Sequence, residues 1–137
     1  MLIFAGLAVM AFMAALAYGA RRGRGVAMTG DGSFDTEVVG ESHYQDALDA
    51  ICGGKCEDGH ELCIEAVLAH EPQNRHDRNA VAVLIEGRKV GHLSRPDAKK
   101  FRQRGLSSVQ TQAMVVGGWR RRNGDEGHYG VRLDFPV

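Results

Sequence analysis

The first twenty residues, MLIFAGLAVMAFMAALAYGA, carry no charged side chain. At about 1.5 Å of rise per residue, a helix of that length reaches across a hydrocarbon layer of about 30 Å. The run therefore predicts a transmembrane anchor over residues 1–20, and whatever else folds must do so without it. Arg21, Arg22 and Arg24 follow directly while no charged side chain precedes the run, so the positive-inside rule places the remainder on the cytoplasmic side. A cleavable signal peptide is the second reading, because Ala15-Leu16-Ala17 offers a small-residue cleavage pattern. Against it, no basic residue stands in front, and three cysteines are an odd number better suited to a reducing compartment than to a disulfide framework. A buried core helix is the third, since no other long helix could cover such a run on all sides. Residues 21–34 are glycine-rich without apolar periodicity and read as a flexible linker. Residues 35–137, about one hundred, suffice for one small domain with one core.

Within that domain the apolar pattern is short and mostly alternating. Thr36 to Val39, Leu62 to Leu68, Ala80 to Ile85, Lys89 to Leu93, Val109 to Trp119 and Tyr129 to Phe135 read as strands, with Glu86-Gly87-Arg88 as a tight hairpin connection. Tyr44 to Ile51 places Ala47, Leu48 and Ile51 on one helical face, and Gly53-Gly54 stops it. Ser94-Arg95-Pro96-Asp97 starts a second helix, with Ser94 as N-cap, Ala98 and Phe101 on its buried side and Gly105 closing it. Six short strands and two short helices predict a mostly β fold, a small antiparallel barrel or sandwich.

The formal net charge is zero, which excludes a protein that coats nucleic acid through bulk positive charge. The balance is uneven along the chain. Residues 25–71 hold eleven acids against Lys55 alone, whereas residues 72–137 hold thirteen bases against six acids. A local basic patch could form from Arg75, Arg78, Arg95, Lys99, Lys100, Arg120, Arg121 and Arg122, although most such charges are ordinarily solvated surface.

The densest polar stretch is Glu71-Pro72-Gln73-Asn74-Arg75-His76-Asp77-Arg78-Asn79-Ala80, between two apolar strands. A turn needs about four residues and one or two Asn or Asp. Ten residues this polar suit a ligand-facing loop, in which Gln73 and Asn74 amides reach base edges, Asp77 accepts from a hydroxyl and arginines pair phosphate. Equally, Asn74, Asp77 and Asn79 could bond their own backbone. His43, Tyr44, His76 and His92 offer flat faces for stacking bases if strand pairing brings them to the same side.

The strings Val38-Val39-Gly40-Glu41-Ser42-His43-Tyr44, then Glu71 to Val83, then Val90-Gly91-His92-Leu93 with Asp97-Ala98, resemble the HIRAN domain over nearly the whole of residues 36–135. The resemblance implies a compact, OB-like, six-stranded β-barrel that, in fork-remodelling DNA-repair ATPases, captures the 3′-hydroxyl end of single-stranded DNA. By that likeness Asp77 accepts from the terminal hydroxyl and Asn74 supports the terminal nucleotide. His43, Tyr44 and His76 take the stacking positions, while His92 and Arg95 face phosphate. Better-studied members carry a basic residue at the position of Ser42 and tyrosines at those of His43 and His76, so one phosphate contact is lost here and stacking is weaker. Tyr129 or Trp119 is a candidate for a replacement aromatic face.

Cys52, Cys56, His60 and Cys63 place four soft ligands in twelve residues and could wrap a zinc ion. The spacing matches no common zinc knuckle, and strand alternation is expected to turn Cys63 inward, so no cofactor is the favoured reading. The chain contains no phosphate loop of the G-x-x-x-x-G-K-[ST] type, no HExxH and no G-x-S-x-G elbow. The expectation is a binding module without catalysis, with any motor or nuclease supplied by a separate helicase or nuclease. The competing class is a membrane-tethered module that keeps the barrel but binds protein.

Overall fold

A computed structural model describes residues 26–137. The candidate anchor at 1–20 and the first part of the linker lie outside the described residues. Among the described residues no helix is long and apolar enough to cross a membrane.

Alternation builds the barrel. In β6 (Ser108–Gly117), Val109, Thr111, Ala113 and Val115 are buried while Ser108 and Gln112 face out. That strand pairs along its length with β3 (His60–His70), from His60 opposite Gly117 to Ala69 opposite Ser108. Antiparallel pairing continues through β4 (Val81–Ile85), β5 (Arg88–Leu93) and β2 (Thr36–Val39) to β7 (Tyr129–Leu133), which pairs back onto β6. The six strands close with no free edge between first and last, one more than the five of an OB-fold. The strands expected from alternation are all present. β3 is longer at both ends than its apolar run suggests because ladder bonds to β6 carry its polar termini.

The helices follow their local signals. α1 (Gln45–Cys52) buries Leu48 and ends at Gly53, whose positive φ of 76° is the left-handed cap expected there. In α2 (Arg95–Gln103) the Ser94 hydroxyl accepts from Asp97 N at 3.3 Å, and Phe101 is buried against Phe135 with ring centroids 5.9 Å apart. Glu86 and Gly87 connect β4 to β5 with φ of 51° and 74°, the pair of positive values that a two-residue hairpin turn requires.

Residues 26–34, expected as flexible linker, are instead fastened to the barrel. A short strand β1 (Val26–Ala27) runs parallel to the start of β6. Met28 N donates to Gln110 O, Gly30 N to Asp134 O and Gly32 N to Asp134 Oδ1. Backbone amides of the segment donate these bonds, so an apolar pattern gives no sign of them.

Candidate nucleic-acid interface

The 71–80 loop spans from the end of β3 to the start of β4 and is held mostly by itself. Glu71 N donates to Ala80 O at 2.8 Å, closing the base of the loop. Asn74 Oδ1 accepts from His76 N at 2.9 Å and Asp77 N at 3.1 Å, and Asp77 Oδ1 accepts from Asn79 N at 2.9 Å. His70 Nε2 donates to Arg78 O at 2.7 Å. The self-bonded arrangement is thus present in full for Asn74. Asp77 is half-buried and uses one carboxylate oxygen on the backbone, while Oδ2 makes no hydrogen bond among the described residues.

At the base of this loop three donors converge on Glu71. Its Oε1 accepts from His92 Nε2 at 2.6 Å and from Asn74 Nδ2 at 3.3 Å, and its Oε2 accepts from Lys89 Nζ at 2.5 Å. Because a carboxylate only accepts, His92 carries its proton on Nε2 here. Partial burial alone would raise the Glu71 carboxyl, but the bonds from Lys89, His92 and Asn74 outweigh it and hold the group below its ordinary value. The His92 ring lies 6.5 Å from that of Tyr44 at 53°. Tyr44 reaches this position because Val39, at the end of β2, pairs with His92, and the 3-10 turn Glu41–His43 carries the chain back over β5.

Strict alternation would put Lys89 and His92, three residues apart, on opposite faces. A bulge prevents it. Val83 faces Gly91 and Leu84 faces Lys89, so Val90 is an extra residue on β5, and Val90 and Gly91 are buried in succession. The extra residue turns both Lys89 and His92 toward Glu71.

Of the residues singled out from the sequence, Tyr44, Asn74, Asp77 and His92 gather at this end of the barrel. His43, Gln73, Arg75, His76 and Arg78 are exposed around them, and Arg95 is exposed at the first turn of α2. Glu71 and Lys89 were not singled out. Glu71 heads the polar string, but its convergence with Lys89 depends on the bulge.

Three expectations are corrected. The eight-residue basic patch does not form one surface: Arg120, Arg121 and Arg122 lie at the opposite end of β3. There Arg120 N donates to Cys56 O, Arg120 Nε pairs with Glu126 at 2.7 Å and the Arg121 guanidinium lies 5.7 Å over Trp119. The 120–127 loop consequently leaves the Glu71 end open. Trp119 and Tyr129 belong to that far end too and offer no stacking face at the loop. Tyr129 is buried and donates through its hydroxyl to Asp49 Oδ1 at 2.7 Å, and burial together with that bond holds the phenol well above its ordinary value. Finally, Cys63 is exposed, because Leu62, Ile64, Ala66 and Leu68 occupy the inward positions of β3. Cys56 Sγ lies 3.7 Å from His60 Nε2, but among the described residues no group of three or more His, Cys, Asp or Glu is gathered to hold a metal.

These features define a small closed β-barrel with one polar, partly basic end built on an irregular loop. The chain matches the HIRAN domain over residues 31–123 and belongs to that family. Membership points to a nucleic-acid-binding module. No curated protein and no solved structure gives a significant match.

Proposed function

We propose that the domain binds single-stranded DNA and recognises its 3′-hydroxyl end, without catalysis of its own, in DNA repair or processing. The observation that carries this reading is Asp77: one oxygen fixes the loop and the other is left to accept a hydrogen bond, in a loop that Asn74 ties through Glu71 to His92, whose ring in turn lies near that of Tyr44. A terminal hydroxyl supplies the donor that Oδ2 lacks, whereas a terminal phosphate brings only acceptors and negative charge. Tyr44, His43 and His76 supply faces for the last bases, and Arg75, Arg78 and Arg95 supply cations for the backbone. Residues 1–20 would tether the domain to the membrane on its cytoplasmic side, and any motor or nuclease would come from another protein.

Fluorescence anisotropy of the full chain with a short labelled strand, ending in 3′-hydroxyl or 3′-phosphate, tests this across a salt series. The hydroxyl end is expected to bind more tightly. The preference should disappear in Asp77→Ala and shrink in Asp77→Asn, which can keep the bond to Asn79 N. Binding that ignores both the 3′ end and Asp77 would overturn end recognition and favour a tethered protein-interaction module.

A further inference from the structure

Glu71 is an odd group to find at a surface meant for a polyanion. The exposed loop cations Arg75 and Arg78 make no ion pair among the described residues, yet Lys89 is bound by Glu71 at 2.5 Å and His92 at 2.6 Å. A charge-paired lysine releases few counterions to an incoming phosphate and adds little to affinity along a strand. The same carboxylate also accepts from Asn74 Nδ2, whose oxygen holds the His76 and Asp77 amides. One side chain therefore both masks a cation and sets the position of the loop that carries Asp77.

Resting on the 3′-end reading above, we propose that Glu71 is a specificity-determining positioning residue, which suppresses end-independent phosphate binding by Lys89 while fixing Asn74 and His92 for the strand terminus. The fold keeps Lys89 close but neutralised, so that discrimination comes from the loop and not from bulk attraction. Without the negative charge, Lys89 would be free to pair with backbone phosphate wherever a strand lies across this end.

The test compares the full chain with Glu71→Gln, which keeps the shape and one oxygen to accept from His92 and Asn74 but removes the charge and the acceptor for Lys89, on labelled single strands ending in 3′-hydroxyl or 3′-phosphate. Glu71→Gln is expected to bind both strands more tightly and to narrow the difference between them. One added phosphate contact steepens the salt dependence by about 0.7, so affinity should fall about two- to threefold more over a fourfold rise in salt. Adding Lys89→Met to Glu71→Gln should return the salt slope to its starting value, which a merely structural role of Glu71 would not produce. Weaker binding with an unchanged slope in Glu71→Gln, in a protein that still unfolds cooperatively, would overturn the proposal while leaving 3′-end capture standing. If the unaltered chain itself shows no end preference, the functional reading fails instead, and this proposal falls with it.

Discussion

Lys89 and His92 lie three residues apart on one strand, yet both donate to the carboxylate of Glu71. The extra residue Val90 in the β4–β5 ladder makes this possible, and at the next residue, Gly91, β5 runs close against β2. A Cβ at residue 91 would lie 2.7 Å from Val39 O and would strike the Val38 side chain.

Gly91→Ala is therefore expected to destabilise the fold by about 1–3 kcal/mol through overpacking between β2 and β5. Because Val39 precedes the turn that carries His43 and Tyr44, DNA binding should weaken further than the loss of folded protein explains. Urea unfolding and anisotropy on the same preparation separate the two effects.

The Glu71 carboxyl is held below its ordinary value of 4.5 by Lys89, His92 and Asn74 acting against partial burial. Its ionised form therefore contributes stability in full above pH 4.5 and loses it as the pH falls through the depressed folded-state value. Melting temperatures of the unaltered protein and Glu71→Gln should differ at about pH 5, where Glu71 is ionised, and the gap should close on further acidification. A gap that widens on acidification would contradict the assignment.

Asn74→Ala removes the acceptor for two loop amides and the donor to Glu71, and should cost about 1–3 kcal/mol. Asn74→Asp retains the acceptor but sets a second carboxylate against Glu71. It should be the milder change near pH 4 and lose that advantage at neutral pH, a crossover that thermal unfolding at the two pH values would reveal.

Phe101 is fully buried between α2 and the barrel and meets Phe135. Phe101→Ala should cost about 3–5 kcal/mol, a large share of the 5–15 kcal/mol typical of a whole domain. The midpoint in urea should fall accordingly. Ser94→Ala, which removes only the cap of the same helix, should cost about 1 kcal/mol.

Much of this architecture is written locally. Short apolar runs, alternating in the outer strands and continuous in β4, locate β2 to β7, the Ser94 cap starts α2, Gly53 ends α1, and Glu86-Gly87 makes the turn between β4 and β5. These signals are legible because each depends on contacts within a few residues: side-chain period, a capping bond, a positive φ. The polar loop could likewise be found by its composition, and Asn74 and Asp77 by the turn chemistry they share with a ligand-facing role.

Sequence alone thus determined a small, mostly β domain with one conspicuous polar loop between the second and third of its six expected strands. Only the tertiary structure decided which charges meet. Arg120 to Arg122 and Arg75 read alike as sequence, but a barrel has two ends and β3 separates them. Glu71 joins Lys89 and His92 because one inserted residue breaks a period of two. Cys63 faces outward because the apolar set of β3 claims the inner face. Electrostatic contact falls off with distance in space, and strand register, closure and a bulge set those distances between residues far apart in the chain.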